Sequence, residues 1–185
     1  MDLSYLTNRV REGHMTPTPD VLFLWRDVKH RTNFKHIFEI GTNAGHSAAI
    51  ILELFPDVKV TSIDIGQYDY TRVAANTLKE KFGDRFEYIE QSTVEYFMDL
   101  KVGKAEFPEG VDIINIDGDH SINGAKNDIE LALYTNVPHI LVDDFKKYGV
   151  PSAYNEYKNN FTVLCEYDYK YGRADVTIGL VKRNG

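Results

Sequence analysis

The 185-residue chain has a single cysteine, Cys165, so no internal disulfide can staple it and a secreted disulfide scaffold is excluded. Prolines number only six, and no Pro-rich, Ser-rich or single-charge block interrupts the chain to act as a linker or tail. No apolar run approaches the roughly 18 residues of a membrane-spanning helix. The opening "MDLSYLTNRVREGHMTPTPD" also lacks the continuous apolar stretch of a secretory leader. Basic residues are in deficit, 21 against 28 acidic for a net charge of -7, which disfavours nucleic acid or an anionic membrane as partner. Internal repeats are missing too. The expectation is one cytoplasmic domain over residues 1–185, with residues 1–33 forming an N-terminal lid and helix and 34–185 the core.

What is present is ordinary for a globular core, 43% hydrophobic and 26% charged. Apolar runs alternate with segments of helical period, the pattern of crossover units around a sheet. Strands are predicted at "HIFEIG" (36–41), "VKVTSID" (58–64), "RFEYIE" (85–90), "VDIINID" (111–117) and "HILVDD" (139–144). Between them Ala74, Leu78 and Phe82 mark one buried helix face, and Ile122, Ala125, Ile129, Ala132 and Leu133 mark another. Thr18 can cap a further helix with Pro19 at its first position, which places Val21, Trp25 and Val28 on one stripe. At the C-terminus "FTVLCEYDY" (161–169) and "ADVTIGLVKR" (174–183) are separated only by "KYGR", too short for a helical crossover, so they pair as an antiparallel hairpin. The fold expected is α/β and Rossmann-like: a seven-stranded, mainly parallel sheet with a reversed C-terminal strand and helices on both faces.

Open sheets of this kind bind ligands beyond the carboxyl ends of their strands. Those ends carry Glu39 and Gly41, then Asp64, then Glu90, Gln91 and Ser92, then Asp117, Asp119 and His120, then Asp143 and Asp144. Carboxylates gathered in one crevice repel anions, so the site calls for a cationic ligand, a metal, or both. The loop "FEIGTNAGHSA" lacks the G-x-G-x-x-G spacing of dinucleotide-binding sheets and the G-K-[ST] ending of a phosphate loop. Gly41 and Gly45 nonetheless let the backbone approach a ligand, and Asn43 tolerates a tight turn. Asp64, at the end of the second strand, stands where an acid holds a ribose diol. A nucleoside without phosphates and with positive charge fits, as S-adenosylmethionine does.

At these residues the sequence resembles the class I S-adenosylmethionine-dependent methyltransferases, and it is most similar to cation-dependent small-molecule O-methyltransferases of the catechol and macrolide-sugar types. The likeness runs from about Gly13 to Lys182. It implies that Glu39 faces the methionine ammonium, while Gly41, Thr42, Asn43, Gly45 and Ser47 line the methionine part. By the same likeness Asp64 holds the ribose hydroxyls and Ile65 lies against the adenine face. Gln91 or Ser92 would reach the adenine edge, where "IEQS" departs from the family's frequent "GDS", and Asp117 would border the donor.

"NIDGDHSINGAKNDIE" followed by "HILVDDF" is similar to the cation-dependent branch, which implies a divalent cation on Asp117, Asp143 and Asp144. Three oxygen ligands completed by waters suit Mg²⁺. His120, three residues past Asp117, matches the position of that branch's catalytic base, and its ordinary pKa suits proton abstraction near neutrality; Asp119 is the competing base. "REGHMTPTP" resembles the family's covering segment, with Met15 or Thr16 over the donor. His14 and His46 are placed near the ligand, and His30, His36 and His139 in structural roles. Tyr148, Tyr154, Tyr157, Tyr167, Tyr169 and Tyr171 are assigned to packing and solvent-facing edge positions, with the shaping of an acceptor pocket as the alternative.

The function expected is methyl transfer to a hydroxyl of a small molecule or sugar, in an acceptor site either shallow or completed by a second copy of the chain in a homo-oligomer. Two rivals remain open at this point. One is a metal-dependent hydroxylase-like enzyme on the same fold; the other is a methyltransferase-like domain that binds without turnover.

Overall fold

Thr18 starts the first helix, its side chain accepting from the Val21 amide, with Pro19 at the first helical position where no amide partner is needed. The computed structural model describes residues 1–7, 10, 11, 13–172 and 174–185, the side chain of Tyr171 excepted. Helix α1 spans Pro19–Thr32 and ends on Asn33, whose φ of 51° is the left-handed turn of a C-cap. Its stripe of Val21, Leu24, Trp25 and Val28 is fully buried.

Strand β1 (His36–Ile40) follows and is buried along its whole length, as an interior parallel strand must be. The crossovers continue through α2 (His46–Leu54), β2 (Lys59–Asp64), α3 (Asp69–Phe82), β3 (Phe86–Glu90), α4 (Thr93–Lys101), β4 (Ile113–Ile116), α5 (Ile122–Tyr134), β5 (His139–Val142) and α6 (Val150–Tyr157). A hairpin of β6 (Phe161–Tyr171) and β7 (Ala174–Arg183) completes the sheet in the order β3-β2-β1-β4-β5-β7-β6. Strand β7 runs antiparallel to both β5 and β6, so it is the reversed strand. No helix among the described residues is long and apolar enough to cross a membrane.

Side chains alternate between two cores, as the strand period of two requires. Ile37, Val60, Ile113, Leu141 and Leu180 face the core that buries α1, α2 and α3. Phe38, Ile40, Ile63, Ile114, Ile116, Ile140, Val142 and Val181 face the core under α4, α5 and α6.

Two local expectations are corrected. Strands β4 and β5 stop at Ile116 and Val142, short of the acids included in the sequence reading. Asp117, Asp143 and Asp144 therefore sit just past the strand tips, and Asp144 turns the chain with φ 47°. Ile122, expected on the buried face of α5, is 45% exposed, because the first turn of α5 lies beyond the tips where the sheet no longer covers it.

Two features of the sheet build a site. First, the residues after the strands keep one more rung of the ladder: the amides of Gln91, Gly41, Asp117 and Asp143 donate to Asp64, Ile63, Ile40 and Ile116 at 2.9–3.0 Å. This levels the strand tips into one shelf. Second, β5 ends opposite Gly179, so β7 from Ala174 to Ile178 and its β6 partners stand beyond the shelf. At roughly 3.3 Å per residue, the hairpin forms a wall about five residues tall beside the tips of β4 and β5.

Candidate active site

The first loop closes on the shelf more tightly than any side chain would allow. Gly41 has φ +95°, and a Cβ there would lie 2.0 Å from the backbone oxygen of Asp117. Asn43 (φ 48°) and Gly45 (φ 74°) complete a turn that delivers the chain into α2. Asp64 holds this turn in place: one carboxylate oxygen accepts from the amides of Thr42 (3.0 Å) and Asn43 (2.9 Å), and the other from Gly66 (2.8 Å). A carboxylate has about four acceptor positions, so Asp64 keeps room for one further donor rather than a free pair of oxygens.

Glu39, expected to face an ammonium, points instead beneath the loop. It shares its face of β1 with Ile37 and is completely buried, accepting from Ser47 on α2 and from Ser62 on β2 (2.7 Å). Thr42 Oγ1 lies 2.6 Å from Ser62 Oγ. Because the Ser62 proton is given to Glu39, the Thr42 hydroxyl donates to Ser62, and the network has a direction. Burial pushes the Glu39 carboxyl up to about 7, against the hydroxyl donors and with help from Asp117 and Asp64. An acid whose pKa rises on folding favours the folded state at low pH, and that advantage disappears as pH rises from about 4.5 to about 7. The difference is on the order of 3 kcal/mol at ~1.36 kcal/mol per unit. Urea denaturation at pH 5 and pH 8 is expected to show a larger loss of stability for the wild type than for Glu39→Gln, which has no proton to lose; equal losses would refute the assignment.

Above the shelf is a cavity of about 820 Å³. Of the residues singled out in the sequence, Gly41, Asn43, Asp64, Ile65, Gln91, Ser92, Asp117, Asp119, His120, Asp143 and Asp144 line it. Glu39, Thr42, Gly45 and Ser47 lie outside that lining. Ile65 is 62% exposed on the lip. Gln91 is steadied by a 2.8 Å bond from its Nε2 to Asp99, and Ser92 caps α4 through the Glu95 amide. Across the cavity Gly13, His14 and Met15 form a strap, tied down by Asn43 Nδ2 to the Gly13 carbonyl (2.6 Å) and by Trp25 Nε1 to Met15 Sδ (3.3 Å). Of the expected pair Met15 and Thr16, Met15 lines the cavity; Glu12 of that segment lies outside the described residues. The His14 and His46 rings are in contact at 4.3 Å, with only His14 on the cavity. His36 bonds to Thr61 and the Glu109 carbonyl, a structural role.

The acids converge at the tips of β4 and β5. Asp117, His120 and Asp143 each present a ligand atom within 4.8 Å of the others. The ring of His120 lies between carboxylates, with Nδ1 3.1 Å from Asp144 Oδ2 and Nε2 3.3 Å from Asp117 Oδ1. Burial opposes a charged imidazole there, but the facing carboxylates outweigh it and push His120 up to about 11. In this arrangement the ring holds its proton at neutral pH, so it cannot take another. A base role for the ring therefore requires another partner for those carboxylates. Asp143 is raised well above the usual carboxylate range, by burial and by Asp117 and Asp144 beside it. Its Oδ1 is buried without a hydrogen-bond partner. That oxygen, with the Asp117 and Asp144 carboxylates beside it, fits a divalent cation, and hard oxygen donors suit Mg²⁺. Asp119, the competing base, is turned to Ser121, accepting from its amide and its hydroxyl at 2.9 Å.

The sequence reading missed several residues. Tyr148 and Tyr169, assigned to packing, line the cavity, as do Lys147, Ala174 and Val176. Tyr154 and Tyr157 pack against the α5–α6 core and Tyr167 is buried, as assigned, while the side chain of Tyr171 lies outside the described residues. Only the three-dimensional position of the hairpin reveals its inward tyrosine. Asp128, 1% exposed on α5, is pushed up to about 6 by burial. An acid inside the Ala125–Ile129–Ala132 stripe was its signal.

Comparison with known proteins agrees with this geometry. Residues 38–145, which hold the glycine loop and both acid-bearing strand tips, match the family model described as a methyltransferase domain. An O-methyltransferase of Bacillus cereus, solved with SAH, superposes with a TM-score of 0.74 at 16% identity, covering 95% of this chain and 84% of its own. TomG of Streptomyces achromogenes, an O-methyltransferase of tomaymycin synthesis solved with SAM, gives 0.67 at 16% identity over 92% and 82%. TrmK of M. capricolum, solved with SAH, gives 0.62 at 15% over 92% and 70%. At these identities the likeness is one of fold. A search of curated protein sequences finds no match. The family model spans more than half of the sequence and covers the loop and tips that build the cavity: the chain belongs to the methyltransferase-domain family.

Proposed function

We propose that the protein is an S-adenosylmethionine-dependent O-methyltransferase acting on a hydroxyl of a small molecule or sugar, with a divalent cation, Mg²⁺ first among them, at the acid cluster. The observation that carries this reading is the single cavity on which Gly41, Asp64, Asp117, His120 and Asp143 converge. The chain is read as one working domain, residues 1–33 serving as strap and helix over a core of 34–185. The SAH bound to the Bacillus relative and the SAM bound to the Streptomyces relative support the choice of cofactor.

On this reading the loop from Gly41 to Gly45 lets the methionine part approach the backbone, and the buried Glu39 supplies negative charge beneath it. Asp64 has one acceptor position left for a ribose hydroxyl, Ile65 offers an apolar face to adenine, and Gln91 and Ser92 stand at its edge. S-adenosylmethionine supplies an electrophilic methyl, whose bond to sulfur breaks, with the electron pair returning to sulfur, as the acceptor oxygen forms its bond to carbon. A divalent cation on Asp117, Asp143 and Asp144 would engage the carboxylates that hold the His120 proton and acidify a hydroxyl touching it. His120 is then the group placed to accept the hydroxyl proton, ahead of Asp119, which Ser121 occupies. The Gly13–Met15 strap excludes water.

An iron hydroxylase of the two-histidine, one-carboxylate kind finds the opposite ratio of ligands here. Calorimetry with S-adenosylhomocysteine tests the donor site. Binding in the micromolar range is expected, and the absence of both heat and thermal shift at millimolar ligand would sink the proposal.

A further inference from the structure

Tyr148 occupies a place that its own chemistry disfavours twice. It is 74% exposed, a large ring left in water, and its backbone is left-handed at φ 54°, a conformation costly for a bulky side chain. The turn that imposes this is fixed on both sides, by the Lys147 amide to the Asp144 carbonyl (2.8 Å) and by the Gly149 amide to the His120 carbonyl (3.0 Å). Gly149 cannot yield, since a Cβ there would lie 2.3 Å from the Ile122 amide nitrogen. The result is a phenol ring set nearly parallel to His120, 25° between planes and 5.9 Å between centroids, at the edge of the acid cluster. Strain held in an exposed aromatic beside a reactive site marks a contact surface.

Lys147 stands next to it on the same cavity. Its neighbour Lys146 pairs with Glu166, but no ion pair to Lys147 occurs among the described residues. In a chain of net charge -7, with Asp64, Asp117, Asp119, Asp143 and Asp144 around one cavity, Lys147 puts a cation on that lining, where the Asp175 carboxylate also feels its charge. The raised hairpin adds Tyr169 and Val176 to the same lining. Two aromatic residues, a valine and one cation make a slot for something flat and negatively charged.

We propose that Lys147 and Tyr148 select the acceptor: a hydroxyl-bearing ring with an anionic substituent, its face on Tyr148 and its anion on Lys147. This rests on the methyltransferase reading above. Lys147 and Tyr148 act on acceptor binding, leaving the transfer step unaltered: the oxygen gains the methyl, the sulfonium becomes a thioether, and the hydroxyl proton passes to base.

The test uses the full chain with S-adenosylhomocysteine and Mg²⁺, and two probes of one shape, 3,4-dihydroxybenzoate and its uncharged amide. Titration calorimetry is expected to give at least roughly tenfold tighter binding of the carboxylate. Lys147→Gln should erase that difference by weakening the carboxylate alone, and methyl transfer assays should show the change in KM with kcat held. Tyr148→Gly should weaken both probes by about tenfold, yet raise Tm by a few degrees because glycine accepts the left-handed backbone. A merely structural tyrosine would not give opposite signs for stability and acceptor affinity. If S-adenosylhomocysteine binds and the two probes bind alike, or Lys147→Gln leaves their ratio unchanged, the acceptor proposal is overturned alone. If S-adenosylhomocysteine does not bind, the donor reading falls and takes this one with it.

Discussion

Asp143→Asn is expected to lower cation-dependent methyl transfer by roughly 100-fold or more while leaving the fold as stable as the wild type or more so. The two effects have opposite signs for one reason. Asp143 is buried beside Asp117 and Asp144, and its carboxyl is raised well above the ordinary range by burial and by those neighbours. An amide of the same shape removes like-charge repulsion from the cation-free protein, so unfolding by heat or urea shows no loss. The same amide removes a negative ligand, so the site loses a charge on which a hard cation depends. Its orphaned Oδ1 is part of that geometry. Mn²⁺ binding followed by electron paramagnetic resonance gives a readout independent of turnover, and should weaken in parallel. A variant that turns over at the wild-type rate, with unchanged Mn²⁺ affinity, would remove the cation from the proposed chemistry.

Gly41→Ala is expected to destabilise the fold by about 4 kcal/mol, at the upper end for one substitution. Backbone strain at positive φ accounts for about 1–3 kcal/mol of this. The rest follows from a Cβ placed 2.0 Å from the Asp117 carbonyl oxygen, a backbone atom that cannot rotate away. For a chain of this size Tm falls by roughly 2–4 °C per kcal/mol, so a drop near 12 °C is expected by calorimetry. Relief requires separating the first loop from the β4 tip, and both border the cavity, so S-adenosylhomocysteine binding should be lost as well. Gly103→Ala is the control: it has φ +70° with nothing within 4 Å, so it carries strain without collision and should cost about 1 kcal/mol with ligand binding intact. Equal losses in the two variants would show that contact with Asp117 is not what requires glycine.

The parallel strands, the alternation of helices and the C-terminal hairpin were legible because each depends on short-range pattern. A run such as "HIFEI" can be buried on both faces only between parallel neighbours, and "KYGR" is too short for a crossover. Thr18 followed by Pro19 marked a helix start that the structure contains. Strand ends were less legible. Asp117, Asp143 and Asp144 look like the last residues of apolar runs, yet Asp117 and Asp143 keep only a single backbone bond to the neighbouring strand and the chain turns at Asp144. Of the candidate site, the residues at strand tips could be named because the fold class fixes where tips meet. Their roles could not, since roles depend on direction. Glu39 turns under the loop through the alternation of β1, and Asp64 commits its oxygens to loop amides. The chain alone gives no sign of either.

The sequence by itself determined the order of elements, the faces they bury and the gathering of acids along one edge, because these follow from periodicity and from the connections that chain length permits. Tertiary structure decided what those acids are bound to. It set the ring of His120 between the carboxylates of Asp117 and Asp144. It carried the hairpin past the tip of β5, bringing Tyr169 and Val176 to the cavity that Lys147 and Tyr148 line. Hydrogen-bond partners, buried charge and the opposing wall of a cavity are properties of residues far apart in the chain, and distance in space is what local pattern does not encode.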